Sequence, residues 1–203
     1  RSFAAYVPRD LVRSVLASGH EAVLEGEVKE LTVFFSDIEG FTDLPDRLEA
    51  EQISEILNSY LSEMARIADE CGGTIDKFIG DGVMIFFGDP ETSGRKQDAL
   101  ACVRMAIRMR SRVAELRQEW EDRVGPEPMH ARMGINTGFC TVGNFGSEDR
   151  LDYTIVGAAV NTASRLESTA GPDQIQISHA TYSLVKDEIY CRPLGDVGLK
   201  GIS

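Results

Sequence analysis

No apolar run in this 203-residue chain approaches the ~20 residues needed to cross a bilayer, and no signal-peptide pattern opens it. Cysteine is scarce: Cys71, Cys102, Cys140 and Cys191 lie far apart and form no C-x-x-C pair. That pattern argues against a disulfide frame or a zinc site and reads as buried thiols of a reducing compartment. Positive charge is short too. With 21 Lys and Arg against 33 Asp and Glu, the formal charge is -12, which disfavours nucleic acid or an anionic membrane as a partner. An anionic substrate would have to be met by local cations or by metal ions. Internal repeats and low-complexity segments are also missing.

What is present is an ordinary globular composition, 42% hydrophobic and 27% charged, at a length near the upper end for one domain. The first residue is Arg rather than Met, consistent with a piece of a longer protein. "YVPRDLVRSVLASG" predicts a short helix, with Pro8 suited to its first turn and Gly19 to its end. Polar Glu21–Glu30 reads as a connector. Residues 1–25 are therefore taken as a helix and link to an upstream region, and residues 26–203 as the main domain.

In that domain "LTVFFSD" reads as the first strand. Ile53, Ile56, Leu57, Tyr60, Leu61, Met64 and Ile67 then recur at three- and four-residue steps, predicting a helix over about Leu48–Cys71. "TIDKFIGDGVMIFFG" reads as a hairpin turning at Asp81-Gly82. A second long helix spans roughly Asp98–Asp122, and its arginines (Arg104, Arg108, Arg112, Arg117), mixed with glutamates, read as a solvated face. Strand-like "HARMGIN", a Thr-Gly turn, "FCTVGNFG" and "LDYTIVG" follow. A helix carrying "VNTASRLES", a strand "QIQIS" and a short helix from about His179 complete the pattern, which predicts helices packed on a sheet.

Two acids stand out by their settings. Asp37 ends the first apolar strand, and Asp81 sits at the tip of a hairpin with equally apolar arms. Taken singly, each has an ordinary explanation in capping or turn chemistry. If the hairpin lies beside the first strand, the two carboxylates converge. At about 4 Å they would repel by roughly 4 kcal/mol at an effective dielectric near 20. Such a pair shares a proton or binds cations, and hard oxygen donors suit Mg²⁺ or Mn²⁺. The backbone N–H groups through Gly40, Phe41 and Thr42 are placed to meet a polyphosphate, with Gly40 allowing close approach.

"VFFSDIEGFT", "DKFIGDGVMIFFG", "ARMGINTG" and "DYTIVGAAVNTASRLES" resemble, in order and spacing, the catalytic domain of class III nucleotidyl cyclases. The resemblance runs from about Leu31 to Ile202. It implies an α+β fold, a ferredoxin-like βαββαβ core with additions and helices on a mostly antiparallel sheet. It also implies a homodimer with two active sites shared across the interface. By resemblance, Asp37, Asp81 and the Ile38 backbone hold two divalent cations, and Arg132 and Lys200 contact phosphates. Asn161 and Arg165, four apart on one helix face, orient the ribose and stabilise charge developing on the α-phosphate.

Lys77 falls at the family's base-reading position. Its ammonium is donor-only and satisfies adenine N1, an acceptor, but not the guanine N1–H. The second base position is Thr154, where the commonest adenylyl pattern has Asp; a hydroxyl can donate or accept and discriminates less by itself. The expected activity is conversion of ATP to cyclic AMP and pyrophosphate, in a cytoplasmic setting or in the cytoplasmic part of a larger, membrane-attached protein. The alternatives are a guanylyl or mixed-specificity cyclase, or an inactive nucleotide-binding or dimerisation module. That last reading expects loss of a metal Asp, the Asn or the Arg, and none is lost.

Overall fold

Alternating burial along Gly26–Glu39 (β1) sets the architecture. Leu31, Val33 and Phe35 face one side of the strand, and Phe34 and Ile38 face the other. Both sides are covered, so the strand is central. The structure is a computed structural model describing residues 26–46, 48–124, 129–147 and 150–195. The helix expected in Tyr6–Gly19 and the candidate phosphate ligand Lys200 lie outside the described residues.

After β1 come α1 (Ala50–Cys71), β2 (Thr74–Ile79), β3 (Gly82–Phe87), α2 (Arg95–Val124) and β4 (His130–Ser147). β5 (Arg150–Val156), α3 (Ala158–Thr169), β6 (Ile175–Ile177) and α4 (His179–Val185) follow. The strand order is β2-β3-β1-β4-β5 with antiparallel neighbours, and β6 runs parallel beside β4. The run from β1 to β4 is thus the expected ferredoxin-like βαββαβ core, and the elements after it are the additions.

The larger core joins Phe34, Ile85 and Ile135 of the sheet to Tyr60 and Met64 of α1 and Met105 and Met109 of α2. A smaller core on the opposite face gathers Leu31, Val33, Met84, Phe86, Cys140, Val142 and Ile155 with Ala163 of α3. β3 is enclosed on both faces, which is why "VMIFF" is continuously apolar instead of alternating. The arginines of α2 are more than a solvated face. Arg112 Nε reaches Glu63 of α1 at 2.9 Å, Arg108 reaches Glu70 at 2.6 Å, and Arg117 pairs with Asp173 at 2.8 Å. Among the described residues no helix is long and apolar enough to cross a membrane.

Three expectations shift. β1 begins at Gly26, inside the stretch read as connector, because its outer half pairs with β4 as far as Gly143. No turn interrupts Thr137-Gly138: β4 passes straight through, opposite Thr32 and Leu31. Thr137 Oγ1 is buried between the hydroxyls of Thr32 (2.9 Å) and Thr181 (3.0 Å), and a Cβ on Gly138 would come within 3.0 Å of the Ala159 methyl. A Thr-Gly pair that looks like turn chemistry is there for packing. The β2–β3 hairpin turns at Gly80-Asp81, one residue earlier than expected, since Ile79 pairs with Gly82. Gly80 (φ 62°) takes the positive-φ first position that glycine fills in tight hairpins.

α3 lies directly against β4 at Gly134. A Cβ there would stand 2.1 Å from the Glu167 backbone N and 2.4 Å from the Ala163 carbonyl O. Both obstacles are backbone, so nothing flexible can yield. Gly134→Ala should destabilise the domain by about 3 kcal/mol or more, since overpacking of this kind forces elements apart. Urea denaturation measures it, and a change near zero would show that α3 does not seat there.

Candidate active site

β1 and β4 pair in register from Gly26↔Gly143 to Glu39↔His130, which sets Asp37 directly opposite Arg132. Asp37 shares its strand face with Leu31, Val33 and Phe35, so it points toward the side on which α3 packs. There the Arg132 guanidinium forks onto it, Nε to Oδ1 at 3.0 Å and Nη2 to Oδ2 at 2.7 Å. This two-point geometry is the strong form of a carboxylate–arginine pair. Arg132 is raised further above its ordinary range, chiefly by this hydrogen bond.

Asp81 arrives from the hairpin tip. Its Oδ2 accepts the Ile38 N–H at 2.9 Å, tying the β2–β3 turn to the end of β1. Burial holds its carboxyl above the ordinary aspartate range, and the charge of Asp37 pushes the same way. The two acids thus converge as the sequence pattern predicts. Beyond them the chain turns at Gly40 (φ 77°) into a 3-10 helix, Phe41–Asp46, with Phe41 and Thr42 at its start. A side chain at Gly40 would meet nothing nearby; the backbone conformation is what favours glycine.

A third acid joins them that the motif reading missed. Glu167 of α3 is buried; its Oε2 accepts from Ser168 Oγ at 3.3 Å, while its Oε1 lies 3.6 Å from Arg132 Nε and accepts no hydrogen bond among the described residues. Burial, then hydrogen bonding to Asp37 and the charge of Asp37, push it up to about 8. Its sequence signal was present: Ala163, Leu166 and Glu167 occupy the buried stripe of α3, so an acid stood where an apolar residue belongs.

The residues expected to read the base come together by another route. β5 folds back over the smaller core, and Thr154 reaches Asp76 on β2, at the opposite end of the strand order. Thr154 Oγ1 donates to Asp76 Oδ2 at 2.6 Å, and the neighbouring Ile155 N–H reaches the same oxygen at 3.3 Å. The Lys77 ammonium lies 3.2 Å from Asp76 Oδ1. Asp76 therefore links Lys77 to Thr154, and it too was missed. Asn161 and Arg165 lie on α3, exposed and half-exposed respectively. Among the described residues neither side chain makes a hydrogen bond or ion pair, and no such bond joins them to Asp37 or to Thr154.

The donor set fits hard divalent cations. Among the described residues no group of three or more His, Cys, Asp or Glu forms a complete metal cage. Asp37 and Asp81 supply a partial oxygen set of the kind Mg²⁺ uses with substrate phosphates and waters. A cationic guanidinium already occupies the face of Asp37.

Strand order and converging acids define a ferredoxin-like domain with a candidate cation site at the end of its central strand. The family model for the adenylate and guanylate cyclase catalytic domain matches residues 23–203, and the chain belongs to that family. It is 58% identical to the adenylyl cyclase CyaB from P. aeruginosa, covering 89% of this chain and 92% of that one with a TM-score of 0.87. Adenylate cyclase 1 of Rhizobium meliloti is 33% identical over 100% of this chain, and the membrane guanylyl cyclase of Dictyostelium discoideum is 31% identical over 91%. The chain spans 30% and 12% of those two proteins. Relatives named for each nucleotide are present, so membership alone does not choose the base.

Because its folded pKa is raised, Glu167 binds a proton in the folded state that the unfolded chain releases. That contribution to stability is lost as pH rises from the ordinary glutamate range through about 8. The melting temperature of the metal-free protein should therefore fall more steeply over that window in the wild type than in Glu167→Gln. Parallel curves would remove the account.

Proposed function

We propose that this chain is the catalytic domain of an adenylyl cyclase, converting ATP to 3′,5′-cyclic AMP and pyrophosphate. The observation carrying the reading is the convergence of Asp37 and Asp81 at one end of the sheet with Arg132 across them. The 58% identity to an adenylyl cyclase supports the same activity, as does a donor-only lysine at position 77.

Asp37, Asp81 and the Ile38 carbonyl would hold two divalent cations, Mg²⁺ or Mn²⁺. When bound, these supply Lewis acidity to the ribose 3′-hydroxyl and charge neutralisation to the polyphosphate. Arg132 compensates Asp37 in the metal-free form and is available to a phosphate oxygen once cations take that role. The N–H groups of Gly40, Phe41 and Thr42 cradle phosphate oxygens, and Lys200 contacts the terminal phosphates. Lys77 donates to adenine N1 while Thr154 accepts from the 6-amino group. Asn161 orients the ribose, and Arg165 stabilises the charge that builds on the α-phosphate during in-line attack.

The Asn161 and Arg165 side chains make no hydrogen bond or ion pair among the described residues, which suits side chains whose substrate lies across a dimer interface. In this reading one protomer contributes Asp37, Asp81 and Arg132, its partner contributes Lys77, Thr154, Asn161, Arg165 and Lys200, and a symmetric homodimer holds two sites. An upstream regulatory region in the parent chain and a cytoplasmic setting complete the proposal.

Incubation with ATP and Mn²⁺ or Mg²⁺ should yield cyclic AMP, while Asp37→Ala and Asn161→Ala should each lose about 10²-fold or more. Mixing the two variants should restore about a quarter of wild-type activity, because half of random dimers are mixed and each holds one intact site of two. Continued silence of the mixture would exclude a shared site.

A further inference from the structure

Successive residues of a strand point to opposite faces, so Asp76 and Lys77 should not meet. They do because β2 carries a bulge at this point. The register runs Ile75↔Ile85 and then Lys77↔Met84, leaving Asp76 without a partner of its own on β3. A bulge re-aims a side chain in this way. The Asp76 side chain is 0% exposed although its neighbour Lys77 is 46% exposed. Burying a carboxylate is costly unless it is paired, so the arrangement needs a reason. Oδ2 accepts from Thr154 Oγ1 and Ile155 N–H. Oδ1 has no hydrogen-bond donor among the described residues, only the Lys77 ammonium beside it at 3.2 Å.

We propose that Asp76 is a positioning residue that sets the purine preference of the site by orienting the Thr154 hydroxyl. This rests on the base-reading role given to Lys77 and Thr154 above. A hydroxyl has one proton and two lone pairs. Thr154 spends its proton on Asp76, so toward a base it offers lone pairs alone. Oδ2 also takes the Ile155 N–H and Lys77 stands beside Oδ1, which makes the carboxylate the acceptor and Thr154 the donor. An acceptor suits the 6-amino group of adenine and opposes O6 of guanine. Asp76 removes the ambivalence of a bare threonine, and with Lys77 as donor the pair matches adenine at both positions. The ambiguity of the hydroxyl is resolved one layer behind the base.

The test compares kcat/KM for ATP and GTP in the full domain with Mn²⁺. Asp76→Ala frees the hydroxyl to donate, and the ATP-to-GTP ratio should fall about tenfold, the scale of one misdirected hydrogen bond. Asp76→Asn keeps a carbonyl oxygen for the Thr154 proton and should retain most of the preference. On a Thr154→Val background, Asp76→Ala should change the ratio no further. If Asp76→Ala does not fold, Asp76→Ser, which keeps a polar partner for Ile155 N–H, is read the same way. An equal loss for both nucleotides would make Asp76 a staple holding β5 to β2 and overturn the proposal. So would an undiminished effect on the Thr154→Val background. A wild type that fails to cyclise ATP, or prefers GTP, would defeat the functional reading itself. An ATP-preferring wild type with an unchanged ratio in Asp76→Ala defeats this inference alone.

Discussion

The long antiparallel pairing of β1 with β4 is the constraint on which the site depends. A slip of one residue would turn every side chain of one strand to the other face, moving Leu31 and Val33 out of one core and Phe34 and Ile38 out of the other. Two filled cores on opposite faces make that slip costly, so the register is heavily determined. Asp37 inherits the result. It stands opposite Arg132 because thirteen neighbouring pairs in the same ladder are already in place. The hairpin bearing Asp81 is held to the same strand by β1–β3 pairing up to Ser36↔Val83 and by the Ile38 N–H beyond it. The candidate cation site is therefore assembled by hydrophobic burial, although no apolar side chain belongs to it.

That assembly has an electrostatic consequence. Asp37, Asp81 and Glu167 meet around one arginine, and burial raises the carboxyl pKa of the last two. Arg132 neutralises Asp37, Asp81 is shifted toward its neutral form, and Glu167 more so. A surplus of acids with high carboxyl pKa values is an unsettled ground state, and added positive charge relieves it. The same shifts mean that protons compete with cations for the oxygens, most strongly at low pH.

How much of this was legible beforehand follows from the range of each signal. The helices of Ala50–Cys71 and Arg95–Val124 carry long runs of periodic apolar residues, and their ends moved by only a few residues from expectation. The convergence of Asp37 and Asp81 was legible because one ends an apolar strand and the other stands at the tip of a hairpin, both local patterns. The turn expected at Thr137-Gly138 failed because the reason for those residues is contact with Thr32, Thr181 and Ala159, all distant in sequence. Asp76 was missed for a related cause. Only a bulge brings it beside Lys77, and only the fold-back of β5 brings Thr154 to it. Neither event leaves a local mark. Glu167 did leave one, an acid on a buried helical stripe, but alone it could not say which charges it would face.

Asp76 and Glu167 share a logic. Each is a buried acid that stands behind residues assigned to the proposed site, Asp76 behind Thr154 and Glu167 behind Arg132 and Asp37. Side chains aimed at a ligand must be fixed by something, and long polar groups are fixed best by hydrogen bonds from a rigid support. β2 and α3 provide that support, α3 because Gly134 lets it seat against β4 backbone to backbone. Asp76 has the Lys77 ammonium beside it, whereas burial next to Asp37 holds Glu167 toward its neutral form. In the proposed function, selectivity and cation binding would depend on residues that touch neither base nor metal, and a motif comparison limited to the ligands would overlook them.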